Sequence, residues 1–285
     1  MPGNTLLLGA VAYDPKVVTI WEGFKTWFAE HGLDFDVVLF TNYERQVEAH
    51  VQGHFDVAWN SPLAWLQLER VAAKIGRPVH AIAMRDTDRD LTSVVLVRAD
   101  SELKSLADLR GKTIAVGAHD SPQATLIPLD HVREAGLQPG RDVEVRYYDV
   151  LVGKHGDHIG GERDAVRALA AGEVDAACVI DGNQLLFAKE GIAGPGATRV
   201  LAQTVKYDHC NFSVLGDPDR DAIGRFRGLL LAQSYDDPDV RTLMDLEGLK
   251  AWLPGRTAGY EPLARAVNAF GTIDEFVDRV ARGAA

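Results

Sequence analysis

The strongest constraint on the fold is the alternation of apolar, strand-like segments with helix-like segments along the first third of the chain. Strand-like segments occupy residues 6–12, 35–40, 55–59 and 79–84, and helix-like segments lie between them at residues 17–30, 43–51 and 63–74. In the first helix-like segment Ile20, Phe24 and Phe28 share one face, as expected for a helix that packs on a sheet. This alternation predicts an α/β fold with a mostly parallel sheet.

A second alternating set covers roughly residues 92–182. Its strand-like segments lie at residues 93–99, 113–116, 143–148 and 175–180, and its helix-like segments lie at residues 121–134 and 164–171. From residue 228 onward the patterns are mainly helical, with no sign of a new sheet. Because 285 residues exceed the usual size of a single hydrophobic core, we expect two α/β units.

Charge and composition exclude several classes of function. The formal net charge is -11 and no run of Lys or Arg is present, so we predict no nucleic-acid binding. The apolar segment at residues 5–12 has no basic residue before it, and we interpret it as a strand rather than a signal peptide or a membrane span. As it reads, the chain is expected to be cytoplasmic and not inserted in a membrane, or periplasmic or otherwise extracytoplasmic if a leader has been removed. Cys178 and Cys210 are expected to be buried thiols.

The segment "AVGAHDSPQAT" predicts a helix that starts directly after a strand. Asp120 or Ser121 would cap this helix, with Pro122 in its first turn. A helix start at the carboxyl end of a parallel strand presents free N–H groups and the positive end of the helix dipole, which favour an anion. The candidate ligand contacts around this start are His119, Ser121, Gln123 and Thr125. The alternative is an ordinary capping motif with no ligand.

The segment "WNSPLAW" has the same form, with Asn60 or Ser61 as the cap before a proline. Tyr13 follows the first strand, where α/β sheets bind ligands, although it can equally be part of a simple turn. Trp59 can either line an apolar part of the ligand or pack in the core.

A weak internal repeat links the two units. The spacing Gly-x-x-Asp-x-Ala occurs at residues 53–58 and again at residues 172–177, and a polar group follows each copy, Asn60-Ser61 in one and Asp181 in the other. The repeat predicts a pair of facing loops.

The segment "GKHGDHIGGE" at residues 153–162 is the richest polar cluster. Its side chains His155, Asp157, His158 and Glu162 could hold a divalent metal or perform acid/base chemistry, which would make the protein an enzyme. The alternative is a glycine-rich loop whose backbone comes close to a ligand or to another part of the protein.

Four segments together resemble the phosphonate/phosphite solute-binding proteins of ABC uptake systems, within the type II periplasmic-binding-protein fold. They are "DVAWNSPLAW", "SLADLRGKTIAVGAHDSPQATLIP", "RDAVRALAAGEVDAACVIDGN" and "LLLAQSYDDPDVRTLMDLEGLKAW", of which "DLRGKTIAVG" and "AAGEVDAACV" are the most specific parts. The resemblance implies two α/β lobes, each a mostly parallel sheet flanked by helices. Lobe 1 would comprise residues 1–88 and 200–285, and lobe 2 would comprise residues 89–199.

The resemblance also implies a function and a set of ligand contacts. The expected protein captures a small oxyanion, phosphonate-like or phosphate-like, or another polar metabolite between two hinged lobes, without a cofactor and without catalysis, and delivers it to an ABC permease. The implied contacts are Tyr13, Asn60, Ser61, the helix start at residues 121–125, the region of Arg163, where the family often has His, and Asp181. The family's Ser/Thr-Ser-Gly helix start is replaced here by "DSPQAT", which offers fewer donors to a tetrahedral oxyanion.

Overall fold

The structure, a computed structural model, describes residues 5–156 and 161–284. The contacts divide the chain into two compact units. Unit 1 comprises Met1–Arg89, Asp208–Tyr260 and Ile273–Ala285, and unit 2 comprises Asp90–Tyr207 and Glu261–Thr272. Residues 200–207 and 261–272 fall in unit 2, whereas the sequence predicts them in lobe 1, and Arg89 falls in unit 1 rather than in lobe 2.

The described residues form eleven β-strands and ten α-helices. The strands are β1 Leu6–Val11, β2 Phe35–Phe40, β3 Val57–Asn60, β4 Val79–Arg85, β5 Ser93–Arg98, β6 Thr113–Val116, β7 Glu144–Tyr147, β8 Ala176–Ile180, β9 Thr198–Gln203, β10 Asn211–Leu215 and β11 Trp252–Pro254. The helices are α1 Lys16–Glu30, α2 Tyr43–Val51, α3 Pro62–Lys74, α4 Ile127–Glu134, α5 Glu162–Ala170, α6 Asp181–Lys189, α7 Asp221–Ala232, α8 Pro238–Glu247, α9 Glu261–Phe270 and α10 Asp274–Ala284.

Unit 1 is built on a six-stranded sheet in the order β11-β4-β10-β3-β1-β2. β1 runs parallel to β2 and β3, while β10 runs antiparallel between β3 and β4 and β11 runs antiparallel to β4. The apolar face of α1 packs on this sheet as predicted: Phe24 contacts Trp252 of β11 at 6.2 Å between ring centroids, and Phe28 contacts Phe35 of β2 at 4.9 Å. Burial of each of these rings stabilises the unit by roughly 1.5–3 kcal/mol.

Unit 2 is built on a five-stranded sheet in the order β7-β6-β8-β5-β9. β6 runs parallel to β7 and β8, and β5 runs antiparallel to β8 and β9. Helix α5 packs on one face of the sheet in an apolar cluster that includes Leu169, and helix α4 packs on the other face in a cluster that includes Leu129. The two-lobe α/β class is confirmed, and both sheets are mixed, since one or two strands of each run against the rest.

The internal repeat has the same backbone role in both units. In unit 1 the Asp56 carboxylate accepts from Leu7 N at 2.8 Å, and Asp56 N donates to Leu7 O. In unit 2 the Asp175 carboxylate accepts from Thr113 N at 2.9 Å, and Asp175 N donates to Thr113 O. The glycine three residues before each aspartate has a positive φ, 78° in unit 1 and 74° in unit 2, which only glycine adopts readily. Each repeat thus fastens the start of one strand to the start of its parallel neighbour.

Three strands lie outside the segments that the sequence pattern predicts as strands. β9 and β10 lie in segments with no predicted regular structure, and β11 lies where the pattern is mainly helical. Of these, β10 is a central strand of unit 1. Both cysteines are free and buried, as predicted. Among the described residues, no helix combines the length and the apolarity needed to cross a bilayer.

Candidate functional site

In unit 1 the predicted contacts follow two adjacent parallel strands. Ser61, directly after β3, is buried and caps α3, because its Oγ accepts from Ala64 N at 3.1 Å and Pro62 occupies the first turn. Tyr13 follows the neighbouring strand β1 and packs its partly buried side chain against the core. The carboxyl ends of β1 and β3 therefore bring Tyr13 and Ser61 to the same edge of the sheet.

The other two predicted contacts of unit 1 make extensive contacts inside that unit. The Asn60 side chain accepts from Gln46 Nε2 at 2.7 Å and donates to Ser213 Oγ at 2.9 Å, which ties β3 to β10. Trp59 is 5% exposed and packs on Phe212 with ring centroids 4.6 Å apart. These contacts support the core interpretation of Trp59 and show that Asn60 bridges β3 and β10. Whether Trp59 and Asn60 also contact a ligand stays a prediction.

In unit 2 the predicted helix start is present, and its first turn is wider than an α-helix. Ser121 caps it, since Oγ accepts from Ala124 N at 3.2 Å, and Leu126 N donates to Ser121 O at 3.0 Å in an i→i+5 bond. This π-helical turn, Pro122–Leu126, leads into α4. A hydrogen bond from Ser93 Oγ to Gln123 O, 2.5 Å long, holds this wider turn in place. Such turns are common at functional sites.

The glycine-rich loop packs against this helix start. Gly153 N donates to Asp120 Oδ2 at 2.6 Å, and Gln123 Nε2 donates to Gly156 O at 2.8 Å. Gly156 has a φ of 65°, and a Cβ on it would lie 2.5 Å from Ser121 Oγ. The close approach of backbone to the helix start is the behaviour expected of the glycine-rich alternative.

Three buried polar atoms at the helix start have no hydrogen-bond partner within the described part of the chain. They are Asp120 Oδ1, Gln123 Oε1 and Thr125 Oγ1, on residues that are 7%, 3% and 1% exposed. Buried polar groups are normally paired, so such atoms indicate a missing partner. The sequence predicts Asp120 only as a possible cap, and in the structure its carboxylate instead accepts a hydrogen bond from the glycine-rich loop at Gly153 N.

A cavity of about 700 Å³ in unit 2 borders the same segment. His119 and Thr125 line it together with apolar side chains that include Leu129, Tyr147 and Phe270. This volume lies within the range of small-molecule sites. Two of the predicted contacts thus border a space large enough for a small solute.

The remaining predicted contacts of unit 2 already have charged or polar partners. His119 donates from its backbone N to Asp149 Oδ1 at 2.9 Å, and its Nδ1 lies 2.9 Å from the same oxygen. Arg163 forms two bonds of 2.7 Å to Glu190, and Asp181, at the start of α6, accepts from Thr92 Oγ1 at 2.9 Å. Whether these three side chains also contact a ligand stays a prediction.

The metal or acid/base alternative depends on four side chains, of which two are described. His155 and Glu162 are buried, and Glu162 Oε2 accepts from Ile180 N at 3.1 Å and Asn183 Nδ2 at 2.7 Å. Asp157 and His158 lie outside the described residues. The described hydrogen bonds of the Glu162 carboxylate therefore link the start of α5 to the end of β8 and to α6.

A different group of possible metal ligands occurs in unit 1. Within residues 5–156 and 161–284, the group whose ligand atoms lie within 4.8 Å of one another is Asp88, His209 and Cys210. Both carboxylate oxygens of Asp88 accept from Arg85, at 2.6 and 2.8 Å. Burial raises the pKa of the Asp88 carboxyl, but the Arg85 guanidinium outweighs it and holds the pKa well below its usual range. A cation at this group would compete with Arg85.

Comparison with solved structures defines the class of fold. PhnD1 from Prochlorococcus marinus, solved in complex with methylphosphonate, has a TM-score of 0.69 at 16% identity, over 94% of this chain and 99% of that one. XAC2383 from Xanthomonas citri, bound to ATP, has a TM-score of 0.68 at 18% identity, over 97% and 98%. The sulphonate-binding protein SsuA from Escherichia coli has a TM-score of 0.58 at 18% identity, over 95% and 87%. The fold is that of periplasmic solute-binding proteins.

The sequence assigns the chain to a family within this class. Residues 10–260 match the family described as "ABC transporter, phosphonate, periplasmic substrate-binding protein", and the chain belongs to that family. The protein is thus a ligand-binding component of an ABC transporter system, and the prediction of a binding protein rather than an enzyme is confirmed by the family. The family implies a small-molecule ligand and an ABC permease as partners.

Proposed function

We propose that this chain captures a small polar solute with an anionic group in the periplasm and delivers it to an ABC permease. The family description supports the compartment and the permease. An anionic ligand is supported by PhnD1, which was solved with methylphosphonate, and by SsuA, a sulphonate-binding protein. The observation that carries the proposal is the helix start after β6, where three buried polar atoms of the described chain lack a partner.

The proposed contacts follow from what each side chain has available. In unit 2 they are Ser121, Gln123 and Thr125, which belong to the helix start that borders the cavity and carries the unpartnered atoms. In unit 1 they are Tyr13 and Ser61, which follow adjacent parallel strands. The remaining predicted ligand contacts would surround these five residues. They are Trp59, Asn60, His119, Arg163 and Asp181.

Calorimetric titration with methylphosphonate, phosphate, ethanesulfonate and small carboxylates tests the proposal. We expect at least one of these solutes to bind with one-to-one stoichiometry. A protein that gives no heat with any of them, and that carries no small molecule after purification, would contradict the proposed function.

A pair of serine caps separates a ligand contact from a stability effect. Ser121→Ala removes a cap at the proposed site, while Ser105→Ala removes the exposed cap of the short helix Leu106–Leu109 in the same unit. Each loss should cost about 1 kcal/mol of stability. Only Ser121→Ala should also weaken ligand binding, and equal affinities in the two variants would remove Ser121 from the site.

A further inference from the structure

A buried network of five polar side chains lies at the end of β3 in unit 1. Asn60 of β3 is directly opposite Asn211 of β10 in the antiparallel register, and Ser213 lies two residues further along β10, on the same face of the sheet. Gln46 of α2 begins the network. Tyr260, in a short helical turn after β11, ends it, because its Oη accepts from Asn211 Nδ2 at 2.8 Å. All five residues are at most 2% exposed.

One backbone carbonyl determines the direction of the hydrogen bonds in this network. Gln46 Nε2 donates to Trp59 O at 3.0 Å, and a carbonyl can only accept, so the Gln46 amide has one orientation. The same Nε2 donates to Asn60 Oδ1 at 2.7 Å, which turns Asn60 Nδ2 toward Ser213 Oγ, 2.9 Å away. Because Ser213 Oγ accepts this bond, its own proton goes to Asn211 Oδ1 at 2.6 Å. The orientation of each amide therefore follows from its neighbour.

This orientation leaves Asn60 with one N–H for a further partner. Its Oδ1 is turned toward Gln46, and one N–H of Nδ2 is used by Ser213 Oγ, while the second N–H has no partner within residues 5–156 and 161–284. Buried N–H groups normally have a partner, and Asn60 is fully buried. It also stands directly before Ser61, at the carboxyl end of β3, where an α/β sheet binds ligands. The partner expected there is an acceptor.

We infer that the network directs the second N–H of Asn60 toward the oxyanion of the solute. The inference rests on the proposed function, because it requires an anionic solute at the end of β3. Without the network the Asn60 amide could turn its oxygen toward the solute, and two acceptors would then face each other. The residues that prevent this are positioning residues, which need not touch the solute. They are Gln46, Asn211, Ser213 and Tyr260.

Nuclear magnetic resonance of the full chain with 15N-labelled asparagine tests the contact of Asn60 with the solute. The probes are methylphosphonate, phosphate and ethanesulfonate, each also titrated by calorimetry. The two side-chain N–H protons of Asn60 give separate signals, which are identified by their absence from the spectrum of Asn60→Ser. With a probe that gives heat, we expect one of the two signals to move downfield and the other to stay close to its position. Heat without a shift of either signal overturns the inference and leaves the proposed function intact. No heat with any probe contradicts both.

The variant Gln46→Leu tests the positioning role, with Gln67→Leu as its control. Gln67 is a buried glutamine of α3 in the same unit, and its described hydrogen bond, from Nε2 to Glu44 Oε1 at 3.5 Å, lies outside the network. Both variants lose a buried amide, but only Gln46→Leu releases the amide of Asn60. We expect the affinity for the bound probe to fall about tenfold or more in Gln46→Leu, which corresponds to ~1.4 kcal/mol, and by about twofold at most in Gln67→Leu.

The spectrum distinguishes positioning from a loss of stability. In Gln46→Leu the downfield shift of the Asn60 signal on addition of the probe should be lost, whereas Gln67→Leu should keep it. Equal affinities and equal shifts in the two folded variants would refute the positioning role. The wild-type spectra still test the Asn60 contact if Gln46→Leu does not fold.

Discussion

The packing of the glycine-rich loop on the helix start of unit 2 can be tested with Gly156→Ala. The added Cβ would lie 2.5 Å from Ser121 Oγ and 2.6 Å from Ser121 Cβ, and the backbone has a φ of 65°. The left-handed backbone costs an alanine roughly 1–2 kcal/mol. Overpacking costs a further ~1–3 kcal/mol, and loss of the bond from Gln123 Nε2 to Gly156 O costs about 1 kcal/mol. The expected total is about 3–6 kcal/mol.

Gly136→Ala isolates the backbone contribution. Gly136 has a φ of 88° in the same unit, and a Cβ there would have no described neighbour within 4 Å, so we expect a loss of only ~1–2 kcal/mol. Urea unfolding of the two variants measures the difference, which should be about 2–4 kcal/mol. Gly156→Ala should also weaken solute binding, because the loop would move away from Gln123. Equal destabilisation by the two substitutions would refute the packing described for the loop.

Three further predictions concern groups outside the site. Arg85→Met should destabilise unit 1 by about 3–5 kcal/mol, because it leaves Asp88 buried without its guanidinium partner, whereas Arg98→Met, at an exposed pair, should cost less than about 1 kcal/mol in the same urea titration. Burial lowers the pKa of the His50 imidazole from 6.5 to about 4, so as the pH falls the imidazole is protonated in the unfolded chain before it is protonated in the folded protein. The free energy of unfolding should therefore fall by about 3 kcal/mol as the pH falls from 6.5 toward 4. A pH series of melting curves should show a smaller loss for His50→Gln. Asp175→Ala should cost about 1–3 kcal/mol, since it removes the acceptor that fastens β8 to β6, and a melting temperature equal to that of the wild type would contradict this role.

Much of the fold could be predicted from local patterns. The bounds of β2, α2 and β6 coincide with the predicted segments, because each segment carries its own periodicity and its own start or stop signal. β10 could not be predicted in this way. It enters unit 1 from a distant part of the chain and pairs antiparallel with β3 and β4, and no local pattern specifies such a partner.

The location of the candidate site could be predicted from the sequence, but the hydrogen-bond partners of its residues could not. The two Ser-Pro pairs identified both helix starts, since a cap and a first-turn proline are local signals. Sequence could not show that the Asn60 amide bonds Ser213, 153 residues away, or that Glu190 pairs with Arg163. The role of Asp120 was also missed, because an aspartate beside a serine is compatible with either residue as the cap, and only the position of Gly153 distinguishes them.

Native mass spectrometry of the gently purified protein, with candidate solutes added one at a time, tests solute capture most directly. The account predicts a single small molecule per chain, displaced by a competing small anion and retained poorly by Ser121→Ala. A chain that always shows only its bare mass, with every solute supplied in excess, would contradict it.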